Sequence, residues 1–242
     1  MNLLILDSGH SFNTKGKSNV KEGFYEWKFN NDMQYKIKKR CEDLGIKVFL
    51  TNPNPDKVPD ISLSARANLA NEYWVKNLKP KSIFISLHAN AFNNETAKGT
   101  ETYVGTNASI TSKNFAKTLN DNIVKAMKDL NPTSKDRGVK TQNFTVIQKA
   151  LMPSVLVEYG FYTNLDDLKI LKNNKDELVE ATVKAICSYF GIEYKKEIKE
   201  EVKFDGNLYA VCVGVYKDKN KANNILNELK KQGYTSTYLI LR

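Results

Sequence analysis

Short apolar runs of strand length alternate along the chain with longer stretches in which apolar residues recur every three or four positions. Leu3-Leu4-Ile5-Leu6 is the first run, and its unbroken hydrophobicity predicts a buried strand. A helical stripe follows from Glu26 through Phe29, Met33, Ile37, Cys41 and Leu44, stopped by Gly45. Residues 46–50 read as a second strand and the proline-bearing residues 52–60 as a loop. Ser62 is placed to cap a helix carrying Leu63, Ala67, Ala70, Trp74 and Leu78. A third strand, residues 83–87, leads to His88, and a short strand at 100–104 follows Gly99. Next come a helix with Phe115, Leu119, Ile123, Ala126 and Leu130, ended by Pro132, and an exposed polar loop at 133–143. A strand at 154–158 and a helix with Val179, Val183, Ile186 and Phe190, closed by Gly191, complete the series. This rhythm predicts a three-layer α/β domain with a mostly parallel sheet over residues 1–194.

The charge run KKEIKEEVK at 195–203 breaks the rhythm and reads as a solvated linker. Beyond it, in residues 204–242, the pattern gives a strand at 208–216, a helix around 222–231 and a strand at 235–241. A single βαβ unit of this size buries too little to stand alone. It is expected either to cover the main domain or to pair with a second copy.

Composition narrows the picture further. A hydrophobic content of 41% supports a substantial core, and no apolar run approaches the ~20 residues of a membrane-spanning helix, so no membrane insertion is expected. The N-terminus lacks the basic, apolar and small-residue succession of a secretion signal, which predicts synthesis in the cytoplasm and later release. Cys41, Cys187 and Cys212 are far apart in sequence and read as reduced, packed thiols. The net charge of +10 is dispersed without a dense basic block, so a nucleic-acid partner is not expected, whereas a polyanionic surface fits.

The chemistry gathers at two strand ends. Only two histidines occur in 242 residues, and both His10 and His88 lie just past the carboxyl end of a predicted strand. In an open α/β sheet that edge is where ligands and catalytic groups collect. Two imidazoles suit a first-row metal such as Zn2+, which in hydrolytic sites takes three protein ligands and a water. A carboxylate would be the third. Glu26, at the start of a helix that must pack back on the first strand, is preferred to Glu22 in the preceding loop, because a rigid element holds a ligand better. Glu158 ends its apolar strand as His88 does. A buried carboxyl there needs a cation or a metal-bound water beside it, which makes it a candidate acid/base.

These residues fall in motifs. DSGH at 7–10, Glu26, SLSARANLAN at 62–71, SLHANA at 86–91 and MPSVLVEYGFYTN at 152–164 together resemble the zinc-dependent N-acetylmuramoyl-L-alanine amidases of the Amidase_3 type, in order over about residues 1–191. The resemblance implies zinc held by His10, Glu26 and His88, with Glu158 as catalytic acid/base and a six-stranded sheet. It implies cleavage of the amide between N-acetylmuramic acid and L-alanine in peptidoglycan. The family's first motif usually reads DPGHGG, whereas here it is DSGHSF, so contacts near His10 are expected to differ. Asn90, Phe161 and Asn164 lie beside the catalytic strand ends as candidate muramyl-peptide contacts, with capping and turn roles as the alternative. Arg66 matches a family arginine, and on an amphipathic helix it also suits a structural ion pair.

The C-terminal piece resembles one half of a sporulation-related (SPOR) wall-binding domain, which implies that two chains pair through residues 204–242 as a homodimer. A remnant that only covers the main domain is the alternative. The whole is similar to a phage endolysin acting on a Gram-positive host. A bacterial autolysin freed when a sporulating mother cell lyses is the alternative setting. A zinc peptidase cutting within the stem peptide would use the same metal chemistry, and a non-catalytic wall-binding protein would use none.

Overall fold

The computed structural model describes residues 2–196 and 218–234. In chain order the first elements are β1 (Asn2–Ser8), a small antiparallel hairpin of β2 (Ser18–Asn19) and β3 (Phe24–Tyr25), α1 (Glu26–Asp43), β4 (Lys47–Leu50) and α2 (Leu63–Lys76). They are followed by β5 (Lys81–Asn90), β6 (Thr100–Val104), α3 (Ile110–Leu130), β7 (Asp136–Thr141) and α4 (Thr145–Gln148). The main unit closes with β8 (Ser154–Phe161), α5 (Leu165–Asn173) and α6 (Lys175–Phe190), and α7 (Lys219–Lys231) lies beyond it.

Six strands form one sheet in the order β4-β1-β5-β8-β6-β7. The first four run parallel. β6 pairs antiparallel with β8 and parallel with β7, so the last two strands run opposite to the rest. Alternate residues of the central strands point to opposite faces and each face is roofed by helices. Leu4, Leu6, Ile83, Ile85, Leu87, Val155 and Val157 pack under α1, α3 and α6. Leu3, Ile5, Phe84 and Leu156 pack against Ala70 of α2 and Val146 and Ile147 of α4. This is the expected three-layer, mostly parallel α/β domain. Because β1 is covered on both faces, Leu3 through Leu6 are all fully buried, which explains their unbroken apolar run.

Helix ends follow their local chemistry. Gly45, at φ +76°, ends α1 in a Schellman turn in which Gly45 N–H donates to Glu42 O and Ile46 N–H to Cys41 O. Ser62 caps α2 by accepting the Ala65 N–H at 3.2 Å. That helix stops at Asn77, so Leu78 is not part of its buried stripe. It sits beyond the cap in a left-handed conformation, 91% exposed.

Two stretches differ from the hydrophobic reading. Residues 136–141, expected as loop, form β7. As an edge strand with polar, half-exposed side chains it carries no apolar signature. Helix α5 also has no counterpart in that reading. It is short, and Asn164 starts it by accepting the Asp166 and Asp167 N–H groups.

The chain divides into two compact units, Met1–Glu197 and Ile198–Arg242. In the second, Asp218 caps α7 through the Asn220 and Lys221 N–H groups, and Gly233 at φ +95° follows its end. The strands expected at 208–216 and 235–241, most of the 195–203 linker and Cys212 lie outside the described residues, and of the region 204–242 expected to pair as a homodimer only residues 218–234 are described. Cys41 and Cys187 are buried free thiols. No described helix is long and apolar enough to cross a membrane.

Candidate metal centre

Parallel pairing of β1 with β5 puts both histidines at one sheet edge. The ladder continues past β1, with Gly9 N–H donating to Leu87 O at 3.1 Å, and His10 then turns out in a left-handed conformation at φ +66°. Gly9 is sterically required. A Cβ there would stand 2.2 Å from Cε1 and 2.5 Å from Nδ1 of His88. Two buried amides hold the turn: Asn30 Nδ2 donates to Gly9 O, and Asn52 Nδ2 donates to Ser8 O and His10 O. The Phe24–Tyr25 strand of the hairpin delivers Glu26 as the first residue of α1, and Glu26 is 2% exposed.

Glu26 Oε1 is the focus of the centre. His88 Nδ1 lies 3.0 Å from it, the Ala89 N–H 3.3 Å and His10 Nε2 3.4 Å. Burial alone would raise the Glu26 carboxyl, but hydrogen bonds and charge from His10 and His88 bring it down to about 2. The imidazole rings stand nearly perpendicular with centroids 5.2 Å apart. One donor atom from each of His10, Glu26 and His88 lies within 4.8 Å of the others. The 3.0 and 3.4 Å separations suit atoms sharing an ion bound at about 2.0–2.2 Å.

The hydrogen bonding behind His88 sharpens this fit. Ser86 Oγ donates its one proton to Asp7 Oδ2 at 2.8 Å. The 3.1 Å contact between Ser86 Oγ and His88 Nε2 must then be donated by the imidazole. In a neutral ring that leaves Nδ1 bare, facing the equally electron-rich Glu26 Oε1. Two acceptors 3.0 Å apart are reconciled by a positive charge between them, either the second proton of an imidazolium or a metal ion. His10 is backed more loosely, with Nδ1 3.9 Å from Asp60 Oδ2.

Asp7 and Asp60 are joined by one side chain. Arg66, 1% exposed, donates through Nη1 to Asp7 Oδ1 at 2.9 Å and to Ser8 O, through Nη2 to Asp60 Oδ1, and through Nε to Ile61 O. Thr51 Oγ1 adds a 2.6 Å bond to Asp7. Burial opposes the Asp7 charge, yet Arg66, Thr51 and Ser86 together hold the carboxyl below its ordinary range. Of the two roles weighed for Arg66, the geometry is that of a buried ion pair, with no face left for a ligand.

Glu158 lies on β8 in register with His88 of β5 on one side and Glu101 of β6 on the other. Its Oε2 is buried without a hydrogen-bond partner among the described residues. Burial first, then the negative charges of Glu26 and Glu101, push this carboxyl well above the usual range. An orphaned carboxyl oxygen on the residue paired with His88, close enough to feel the charge of Glu26, fits a centre whose remaining partners are a cation and its water.

Glu22 is not in the cluster; its backbone oxygen accepts from Lys172 Nζ. Asn90 Nδ2 donates to Glu101 Oε1 at 2.6 Å. Phe161 is 2% exposed, with the Arg137 guanidinium 4.8 Å above its ring. Asn164 caps α5 and donates to Glu95 O, the turn role weighed for it. Sequence reasoning missed Asp7, Asp60, Ser86 and Glu101. Asp7 stands inside the DSGH motif and Ser86 inside SLHANA, so the signal for these two was present but reads as strand until the register is known.

Residues 4–188 match the family model described as N-acetylmuramoyl-L-alanine amidase. The chain is 30% identical over 190 residues to the N-acetylmuramoyl-L-alanine amidase LytC of Bacillus subtilis, which covers 77% of this chain but only 35% of LytC. It is 29% identical over 204 residues to an endolysin of Bacillus phage SPP1, covering 80% of this chain and 68% of that protein. The solved catalytic domain of CwlV, an N-acetylmuramoyl-L-alanine amidase from Bacillus (Paenibacillus) polymyxa var. colistinus, superposes with a TM-score of 0.68 at 27% identity, over 80% of this chain and all of that domain. With the matched residues spanning both histidine turns, Glu26 and Glu158, the chain belongs to the N-acetylmuramoyl-L-alanine amidase family.

Proposed function

We propose that the protein hydrolyses the amide between N-acetylmuramic acid and L-alanine in peptidoglycan, with a zinc ion held by His10, Glu26 and His88 and with Glu158 as acid/base. The convergence of two imidazole nitrogens on Glu26 Oε1, with Glu158 one strand away, carries this reading. Bound zinc supplies a water acidified to a pKa of about 7 and a Lewis acid for the scissile carbonyl. The chain's own groups do the rest. Glu158, with one oxygen unpartnered, takes the proton of the attacking water and returns it to the nitrogen of the departing L-alanine. The Asp7–Ser86–His88 relay fixes the ring so that Nδ1 faces inward, and Glu26 carries the negative charge that balances the cation. The similarity to a phage endolysin supports release of the protein onto the wall during lysis.

The test is mass spectrometry of digested cell wall with and without chelator. New L-alanine amino termini on intact stem peptides are expected, lost on chelation and regained with zinc. Amino termini elsewhere in the peptide would point to a peptidase, and binding without any cleavage to a wall-binding protein. His88→Ala is expected to lose both zinc and turnover.

Gly9→Ala gives a second check on the centre. Its methyl group would overlap the His88 ring, so one of the two strand ends must shift. Zinc affinity is expected to fall about 10–100-fold, the size seen when ligand orientation is lost. Competition with a chromophoric chelator measures it, and an unchanged affinity would contradict this geometry.

A further inference from the structure

Across β8 from the histidines, four side chains converge on Glu101. This carboxylate is 2% exposed, and its Oε1 accepts from Asn90 Nδ2 at 2.6 Å and from Tyr103 Oη at 2.7 Å. Its Oε2 accepts from Arg137 Nε at 2.6 Å and from Lys140 Nζ. Two cations therefore share one anion, leaving an uncompensated positive charge. Both are partly open to solvent, the Arg137 side chain at 33% and Lys140 at 38%. The Arg137 guanidinium lies over the Phe161 ring at 4.8 Å, which fixes its plane. With Nε engaged, its two terminal amino groups make no hydrogen bond to the described residues. A flat guanidinium held this way is a ready bidentate seat for a carboxylate.

We propose that Arg137 and Lys140 form a subsite for a carboxylate on the peptide side of the substrate, on the acidic residue that follows L-alanine. The inference rests on the amidase reading, because it takes the scissile amide to lie over His88 and Glu158. β7 is two strands from β8, about 9–10 Å at ordinary strand spacing. Two to three residues of extended peptide span that distance. Asn90 and Phe161 thereby gain a role. They hold the carboxylate and the guanidinium that receive the peptide.

The test compares muramoyl-L-alanyl-D-glutamate with its diamide, in which both side- and main-chain carboxyls of the glutamate are amidated, using the full-length, zinc-loaded protein. Binding is read by calorimetry with the corresponding dipeptides, and turnover by release of the muramoyl group. The wild type is expected to favour the acid at least about tenfold. Arg137→Gln and Lys140→Gln should each shrink that ratio, and the double variant should bring it close to one. The acid-to-amide ratio is internal to each variant, so partial unfolding does not move it. A ratio near one in the wild type would overturn the subsite. So would a ratio unchanged in Arg137→Gln, as when the carboxylate binds the zinc instead. Failure of the amidase reading is separate: no muramoyl release from either compound, whatever the dipeptide binding shows.

Discussion

Glu158→Gln is expected to cut turnover on purified peptidoglycan by about 10³-fold or more while leaving zinc content unchanged. The magnitude is that of removing a positioned general acid/base. Gln is isosteric with Glu and can fill the same space on β8, so the sheet register to His88 and Glu101 should survive. What is lost is a group able to take a proton and give it back. In the native protein burial and the charges of Glu26 and Glu101 make the Glu158 carboxyl hold protons readily, which suits delivery to a leaving amine. The amide of Gln holds none. Stability should stay close to level, because the amide matches in size and neutrality a carboxyl whose charged form burial disfavours. The measurement is paired: metal analysis and a melting curve on one sample, and release of L-alanine amino termini on another. A Gln variant that cleaves at near the wild-type rate removes Glu158 from the mechanism, and one that loses zinc makes it a ligand.

How far these roles could be read from the sequence depended on the kind of signal each part leaves. The central strands are legible because both faces are covered, so residues 3–6 and 83–85 are continuous apolar runs. His10, His88 and Glu158 follow from that, each sitting where such a run ends. Glu26 needed only the direction in which α1 packs. The edge strand β7 was illegible for the converse reason. Its side chains are polar and half exposed, and Arg137 and Lys140 look like any solvated pair until Glu101 is seen beneath them. Arg66 was ambiguous by nature. An arginine on an amphipathic helix is usually a surface residue, and only the fold shows it buried between Asp7 of β1 and Asp60 of the loop before α2. Ser86 reads as one small polar residue in a strand. Its relay from Asp7 to His88 depends on the β1–β5 register, which no local pattern encodes.

Arg66→Met should destabilise the domain by about 3–5 kcal/mol, the range for breaking a buried ion pair by removing one partner. Asp7 is 1% exposed, and without the guanidinium it keeps only Thr51 and Ser86 as donors to a buried charge. Ser8 O and Ile61 O lose donors as well. For a domain of this size each kcal/mol moves Tm by roughly 2–4 °C, so a fall of about 6–20 °C is expected. The consequence for the metal is separate and more diagnostic. Asp7 orients His88 through Ser86, and Asp60 lies against His10, so one substitution loosens the backing of both imidazoles. Zinc affinity in the fraction that remains folded should drop about 10–100-fold. Arg66→Lys tells packing from geometry. It restores the charge but cannot reach Asp7, Asp60 and two carbonyls from one planar group, so it should recover part of the stability and little of the zinc affinity. If Arg66→Met melts within about 1 °C of wild type, the pair contributes nothing net. If it melts low yet binds zinc as tightly, Arg66 holds the fold together without tuning the centre.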